Sequence, residues 1–199
     1  MASQRSAPEA VRWARPAREE RAGGATSGGA DQAAQRAAAF TRLYREHVEI
    51  IYRYHLARTG NVQDAQDLTA ETFRAALEAF SRFQPERGSP LAWLIGIAYH
   101  KLVDFFRKER DHTPLDEALP AGGPAVEEAA EHGLRRDQLA QALRSLPGDR
   151  AEALTLHFMV GLSIAETGQV MGRSQAAIKK LVQRGLRDLR RRLAEQEGE

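Results

Sequence analysis

The sequence predicts an all-α protein with two small helical domains joined by a flexible acidic linker, the second domain containing a helix-turn-helix. Apolar residues recur about every 3.6 residues in several segments, which is the pattern of amphipathic helices. Residues 109–133 interrupt this pattern with three prolines, a Gly-Gly pair and seven acidic residues against one arginine, which is typical of a linker. We therefore expect domains at residues 33–108 and 134–195.

Composition restricts the class of protein further. The chain has 199 residues, a formal charge of +2 and no cysteine, which excludes disulfides and thiolate metal sites and fits a reducing cytoplasm. The longest apolar run, residues 91–99, is far too short to span a bilayer, and the N-terminus lacks the apolar core of a secretory signal. We expect a cytoplasmic protein without membrane insertion.

The first part of the chain is predicted to contain a disordered arm and two helices. Residues 1–32 are rich in Ala, Gly, Arg and Ser and offer little to bury, so we expect disorder there. Helical spacing predicts a first helix from about residue 33 to 58 and a second from about residue 62 to 80. The second helix is predicted to carry an acidic ladder of Asp64, Asp67 and Glu71 near its outer faces. Its inward residues are predicted to be Ala65, Leu68, Phe73, Ala76, Leu77 and Phe80.

A third helix is predicted to follow Ser89, which can accept hydrogen bonds from free first-turn amides, with Pro90 at the first helical position. The helix is expected to run from residue 91 to 107 or beyond. Its end, HKLVDFFRKER, interleaves cations and aromatic rings, which suits single-stranded nucleic acid because bases can stack while phosphates are neutralised. Packing in the core is the competing interpretation of these rings.

The second domain is predicted to contain two supporting helices, over residues 134–146 and from a cap at Asp149 to residue 160. A helix-turn-helix follows. Ser163 and Glu166 have the spacing of a capping box, Gly172 stands at a left-handed C-cap position, and Ser174 offers the next N-cap. A glycine inside a helix costs about 1 kcal/mol against alanine, so Gly168 predicts a close approach of the second helix.

The second helix of this pair is strongly basic. Residues 173–193 contain eight basic residues and one acidic residue, and the side opposite the apolar stripe carries cations and an amide without a carboxylate. Such a local basic footprint attracts a phosphate backbone, and a helix-turn-helix places the start of its second helix in the major groove. The competing interpretation is a solvated basic helix over a small core.

Three stretches, in this order, resemble the bacterial RNA polymerase sigma factors, specifically the small two-domain extracytoplasmic-function (ECF) group. Residues 64–73, DAQDLTAETF, look like the polymerase-binding signature of that family. Residues 93–108, WLIGIAYHKLVDFFRK, are similar to its strand-melting and −10-reading helix. Residues 161–191, GLSIAETGQVMGRSQAAIKKLVQRGLRDLRR, match its −35-reading helix-turn-helix without a gap. The resemblance covers about residues 36–193.

The resemblance implies three sets of site residues, with core RNA polymerase, promoter DNA and an anti-sigma factor as partners. The residues expected to bind the clamp coiled coil of the polymerase are Asp64, Asp67, Leu68, Glu71 and Phe73. The residues expected near a flipped −10 base are Tyr99, His100, Lys101 and Arg107. The residues expected to face the −35 groove are Ser174, Gln175, Ala177, Lys179, Lys180, Gln183, Arg184 and Arg187. No cofactor, metal or catalytic group is implied.

Some positions depart from the family pattern. His100 stands where asparagine is common in the family. Thr167 replaces a usual isoleucine and Arg173 a usual apolar turn residue, so we expect a slightly looser helix-turn-helix.

Two other classes of function compete with this one. A plain helix-turn-helix regulator would bind inverted repeats as a symmetric dimer without core polymerase, but it has no need for the acidic ladder at residues 64–73. An enzyme is disfavoured because the six histidines show no paired metal-ligand spacing, and neither a phosphate-binding glycine loop nor a nucleophile elbow is visible.

Overall fold

A computed structural model describes residues 27–112 and 138–197, and the regular elements of these two ranges are all helical. The all-α prediction is therefore confirmed. The N-terminal module contains helices α1 (Ser27–Thr59), α2 (Val62–Ala79) and α3 (Pro90–His112). The C-terminal module contains helices α4 (138–144), α5 (Gly148–Leu154), α6 (Ile164–Met171) and α7 (Gln175–Glu197). Two single 3₁₀ turns, Phe80–Arg82 and Pro85–Arg87, lie between α2 and α3, and a π-helical turn, Thr155–Met159, extends α5.

The three helices of the N-terminal module pack against one another around fully buried Ile51, Leu94 and Ile95. Asn61 caps α2, because its side-chain oxygen accepts hydrogen bonds from the amides of the first turn. Ser89 caps α3 as predicted, with its Oγ 3.2 Å from the Ala92 amide. These caps set where α2 and α3 begin, and thereby which residues each helix presents.

The predicted end of the disordered arm and the predicted start of the linker are both wrong. The disordered arm, residues 1–32, overlaps α1, which begins at Ser27. Gly28 and Gly29 disfavour a helix, but an alanine-rich segment follows them. Because each residue added to a nucleated helix gains a hydrogen bond, the longer helix outweighs the cost of the two glycines. The linker, residues 109–133, overlaps the end of α3, which continues to His112. Residues 1–26 and 113–137 lie outside the described residues, as do the predictions made for them.

Two predicted side-chain roles are also wrong. Leu77 is 58% exposed, because it lies about 100° around α2 from the buried Ala76. Asp149 does not cap α5. The helix begins at Gly148. The carbonyl of Pro147, the residue before it, accepts hydrogen bonds from the Arg150 and Ala151 amides. Asp149 instead lies in the first turn and pairs with Arg173 across 2.5 Å.

The two modules pack on each other, which the sequence did not predict. Helix α3 contacts α6, and α1 contacts the π-helical turn after α5. Buried apolar residues form one continuous cluster that includes Ile51 and Leu94 from the first module and Leu154 and Ile178 from the second. Among the described residues, none of the helices combines the length and apolarity that a bilayer crossing requires.

Candidate nucleic-acid interface

Helices α6 and α7 form the predicted helix-turn-helix, and local hydrogen bonds define its turn. The Ser163 Oγ accepts a hydrogen bond from the Glu166 amide at 3.2 Å, and the Glu166 carboxylate accepts one from the Ser163 amide at 3.0 Å. Gly172 has a φ of 62°, a left-handed conformation that glycine adopts without a steric penalty. The amide of Arg173 then reaches back to the Gly168 carbonyl at 2.9 Å. The capping box and the glycine C-cap are thus confirmed.

Gly168 is needed because the backbone of the turn passes very close to it. A Cβ atom at this position would lie 2.8 Å from the Arg173 carbonyl oxygen and 3.7 Å from Ile178 Cγ1 of α7. The close approach is therefore made mainly by the turn, and only secondarily by α7. Ser174 caps α7 as predicted, since its Oγ accepts a hydrogen bond from the Ala177 amide at 3.2 Å.

Helix α7 buries one side and exposes the other. Ile178, Val182 and Gly185 are buried against the rest of the module, and a Cβ at position 185 would lie 3.0 Å from a Leu154 methyl. Of the residues predicted to face the −35 groove, Ala177 is half-buried and the following are exposed: Ser174, Gln175, Lys179, Lys180, Gln183, Arg184 and Arg187.

The charge of this exposed side depends on a contact that sequence reasoning missed. Asp188, the one acidic residue of 173–193, is 8% exposed and pairs with Arg150 of α5. Its carboxylate is therefore neutralised inside the module, and the outer side of α7 stays cationic over residues 179–187. A lone carboxylate beside an apolar stripe was the only signal for this pair in the sequence.

Arg173 and Thr167, two of the positions where the helix-turn-helix departs from the family pattern, have distinct surroundings. Arg173 is exposed at the turn, and its ion pair with Asp149 ties the turn to α5. Thr167 is fully buried, and within the described residues its Oγ1 has no hydrogen-bond partner. Burying an unpaired hydroxyl costs roughly 1–3 kcal/mol. Thr167 is thus the departure that weakens the motif.

The residues predicted to contact a −10 base lie on α3, and they differ in exposure. Tyr99, His100 and Lys101 are half-buried, while Arg107 is exposed. The Tyr99 and His100 rings lie with their centroids 5.7 Å apart. Lys101 pairs with Glu71 of α2 at 3.3 Å, and Arg107 pairs with Asp104 at 3.0 Å. The structure therefore places cations and aromatic rings along one helix, as the sequence indicated.

Tyr99 lies close to the C-terminal module. Burial raises the pKa of its phenol, and the carboxylates of Glu152 and Asp149 on α5 raise the pKa further. A residue predicted to contact a melted strand is therefore half-buried and within electrostatic reach of the second module.

The predicted polymerase-binding residues divide into a surface set and a core set. Asp67 and Glu71 are exposed and Asp64 is half-buried, and Glu71 also pairs with Lys101. Leu68 and Phe73 are each 5% exposed, and the Phe73 ring packs edge-on against Tyr44 at 4.8 Å. Leu68 and Phe73 pack in the core between α2 and α1, and their part in polymerase binding stays a prediction.

The histidines of the described ranges do not assemble into a metal site. His55 lies in the N-terminal core, where its Nε2 is 3.1 Å from the Thr72 hydroxyl. His157 Nδ1 donates to the Leu162 carbonyl at 2.7 Å and ties the π-helical turn to the following loop. Within residues 27–112 and 138–197, no group of three or more His, Asp and Glu side chains is placed to hold a metal ion.

Comparison with known protein families matches both modules. Residues 43–112 match the family described as Sigma-70 region 2, and residues 136–189 match the family described as Sigma-70, region 4. The ECF RNA polymerase sigma factor BldN of Streptomyces coelicolor is 36% identical over 159 residues, which cover 78% of this chain and 60% of BldN. The chain thus spans less than two thirds of the length of that relative.

A second relative matches almost the whole of this chain, and two solved structures share the fold of this chain. The ECF RNA polymerase sigma factor SigE of Mycolicibacterium smegmatis is 30% identical over 192 residues, which cover 94% of this chain and 73% of SigE. CnrH, solved with the cytosolic domain of CnrY, has a TM-score of 0.62 and 27% identity over 82% of this chain and 95% of CnrH. RpoE of Bartonella quintana, solved with the anti-sigma factor NepR, has a TM-score of 0.63 and 20% identity over 78% of this chain and 97% of RpoE, which supports the fold alone. With region 2 followed by region 4, and with relatives of this group at 30% identity or more, the chain belongs to the ECF RNA polymerase sigma factors.

Proposed function

We propose that this chain is a dissociable promoter-specificity subunit that binds core RNA polymerase and directs initiation by recognising −10 and −35 elements. The observation that carries the proposal is the outer side of α7, which is exposed, cationic over residues 179–187 and built on a capped helix-turn-helix. The protein would act through binding energy and not through covalent catalysis. A regulator independent of polymerase is the weaker alternative, since it leaves the region 2 match unexplained.

In this proposal α7 reads the −35 duplex. The start of the second helix of a helix-turn-helix enters the major groove, which would bring Gln175 and Lys179 to the base edges first. Gln183 would read a base, because a glutamine amide can bond adenine at two positions. Lys180, Arg184 and Arg187 would neutralise phosphates along the same side of the helix.

The N-terminal module would hold the polymerase and the melted strand. The exposed carboxylates of Asp67 and Glu71 would contact a basic surface of the polymerase clamp, with Leu68 and Phe73 fixing their helix from below. Flipping a base out of the duplex costs a few kcal/mol. The aromatic and cationic residues of α3 would offset this cost by stacking on the base and neutralising its phosphate.

We further propose an anti-sigma partner for this chain, since two proteins of the same fold were solved with a partner: RpoE with the anti-sigma factor NepR, and CnrH with the cytosolic domain of CnrY. Phe158 and Met159, at the end of the π-helical turn, are 58% and 50% exposed. They supply adjacent apolar surface of the kind that partner proteins cover.

In vitro transcription tests the whole proposal. Core RNA polymerase is given a library of promoter sequences with and without the full-length chain, and transcript start sites are sequenced. The chain should select a small group of promoters that share two elements separated by a constant spacer. Identical transcript profiles with and without the chain would contradict the function.

A lysine substitution tests the role of α7. Lys180→Ala should weaken binding to the selected −35 duplex and lower the slope of log affinity against log salt by about one, because one phosphate contact releases about one counterion. Arg53→Ala is the control, since it also removes one exposed cation but from α1, where Arg53 pairs with Glu49. Equal affinity and slope for Lys180→Ala and the control would remove Lys180 from the interface.

A further inference from the structure

Arg173 is an exposed cation in the turn between α6 and α7, and a carboxylate of the same module holds its guanidinium. Its Nη2 donates to Oδ2 of Asp149, in the first turn of α5, at 2.5 Å. Arg173 was not expected to face the −35 groove, because the family usually has an apolar residue at this position. The structure therefore shows a cation beside the predicted DNA-reading surface for which the resemblance gives no role.

The ion pair of Arg173 with Asp149 is solvated on both sides. The two side chains are 47% and 55% exposed, and an exposed ion pair contributes little to stability because water competes for both charges. The neighbouring pair of Arg150 with Asp188 is different, since its side chains are only 31% and 11% exposed. The Arg150 pair thus fastens α7 to α5, whereas Arg173 can exchange its partner with little loss of stability.

The position of Arg173 suits contact with the DNA backbone. It lies two residues before Gln175, where α7 begins, and the start of this helix is the part that enters the major groove of a bound duplex. Residues beside an inserted helix start lie near the phosphates at the edge of the groove. Lys180 is seven residues farther along, or roughly 10 Å at 1.5 Å per residue, so the two cations can reach different phosphates.

The carboxylate of Asp149 and a DNA phosphate compete for the same guanidinium. Both are anions whose oxygens accept the parallel hydrogen bonds that the planar fork of an arginine donates. When a phosphate takes the place of Asp149, the released carboxylate remains close to the DNA backbone and repels it. The free energy of the phosphate contact is therefore reduced both by the lost ion pair and by this repulsion.

We propose that Arg173 is a further phosphate-contacting residue of this chain, and that Asp149 occupies it in the free protein until the DNA backbone displaces the carboxylate. This inference rests on the proposed function for the placement of α7 in the major groove. Because phosphate contacts carry no sequence information, Arg173 strengthens binding to every duplex. Asp149 weakens binding to every duplex, which increases the share of the binding free energy that base contacts supply.

Duplex binding by the full-length chain measures the role of Arg173. Fluorescence anisotropy is recorded between 50 and 200 mM salt on two labelled duplexes, one with the −35 sequence selected by transcription and one with a scrambled sequence. Arg173→Ala should weaken binding to both duplexes and lower the salt slope by about one. The ratio of wild-type to variant affinity should then fall by roughly 3.5-fold over this fourfold range of salt.

Asp149→Asn should act in the opposite direction. It releases Arg173 without removing a cation, so affinity for both duplexes should rise roughly two- to fivefold, in keeping with the loss of an exposed ion pair. In the Arg173→Ala background the same substitution should give little gain, because the cation for which Asp149 competes is absent. A pair that only fastened the turn would give another pattern, since loss of either partner would then weaken binding and lower the melting temperature.

A second exposed ion pair supplies matched controls. Arg53 and Glu49 of α1 pair at 2.5 Å and are likewise solvated. Arg53→Ala and Glu49→Gln make the same two changes of charge in the N-terminal module, and both should leave duplex affinity and salt slope unchanged. Equal effects in α1 and at the turn would mean that net charge alone governs binding, which would overturn the proposal.

Two further results would overturn the proposal, and neither is a failure of the proposed function. The first is wild-type affinity and salt slope in Arg173→Ala, and the second is weaker binding by Asp149→Asn. An equal gain from Asp149→Asn with and without Arg173 would show that Asp149 only repels the phosphates and does not compete for the cation. The proposed function is judged separately, because a wild-type chain that binds the selected and scrambled duplexes equally would contradict −35 reading whatever Arg173 does.

Discussion

The core histidine of the N-terminal module should make the protein sensitive to acid. His55 is fully buried between α1 and α2, and burial lowers the pKa of its imidazole from 6.5 to about 3. The Thr72 hydroxyl donates to the Leu68 carbonyl at 2.7 Å, so it must accept from His55 Nε2–H. The neutral ring with its proton on Nε2 is therefore the form that fits the folded core.

The sign and size of the effect follow from proton linkage. Below pH 6.5 the unfolded chain binds a proton that the folded chain excludes until about pH 3, so stability is complete above 6.5 and falls as the pH drops through this window. One proton corresponds to about 1.36 kcal/mol per pH unit. Between pH 7.5 and 4.5 His55 alone should therefore remove about 2.6 kcal/mol of the free energy of unfolding.

Urea unfolding measures this loss. Trp13→Phe leaves Trp93, which is 4% exposed in the N-terminal core, as the single tryptophan reporter. This protein is compared with one that also carries His55→Gln, which keeps a donor for Thr72 but cannot be protonated. The difference in unfolding free energy between the two proteins should change by about 2.6 kcal/mol over this pH range. A constant difference would show that the imidazole titrates alike in both states and would refute the reasoning.

Three further predictions concern the helix-turn-helix. Gln183→Ala should cost about 1–3 kcal/mol of binding at one base pair of the −35 site, as measured on a panel of single-base variants, and a uniform loss across the panel would contradict base reading. Gly168→Ala should lower the melting temperature and −35 affinity because its Cβ would meet the Arg173 carbonyl at 2.8 Å, a clash that outweighs the gain of about 1 kcal/mol in helix propensity. Gly148→Ala, which has open space around it, is the control, and equal melting temperatures would exclude the clash. Thr167→Val should stabilise the C-terminal module by roughly 1 kcal/mol or more in thermal unfolding, since it removes a buried hydroxyl that has no partner among the described residues. A lower melting temperature would indicate that the hydroxyl is bonded after all.

Local interactions explain which parts of the fold were predictable. The capping box at Ser163, the left-handed Gly172 and the cap at Ser174 involve residues within four positions of one another, so their chemistry is written in short sequence windows. The exposed side of α7 follows equally from helical periodicity. Residue patterns alone therefore located the helix-turn-helix and the cationic residues that it presents.

Boundaries and burial were predicted less well, because they depend on competition between neighbours. The beginning of α1 at Ser27 and the end of α3 at His112 reflect helix propagation past residues that are individually poor formers. Leu77 is apolar and was predicted to be buried, yet the position of α2 against α1 and α3 leaves it exposed. Leu68 and Phe73, by contrast, are buried as helical spacing predicts.

The sequence by itself determined the helices, their caps, the basic side of α7 and, through three ordered motifs, the family. Only the tertiary structure decided which distant residues meet. The pairing of Arg150 with Asp188 keeps the reading side of α7 cationic, and the bonding of Glu152 by Tyr54 and Arg58 docks one module on the other. These partners lie 38, 98 and 94 residues apart. Periodicity states that a charged residue lies near a buried face, but only the packed chain supplies the opposite charge that makes its burial tolerable.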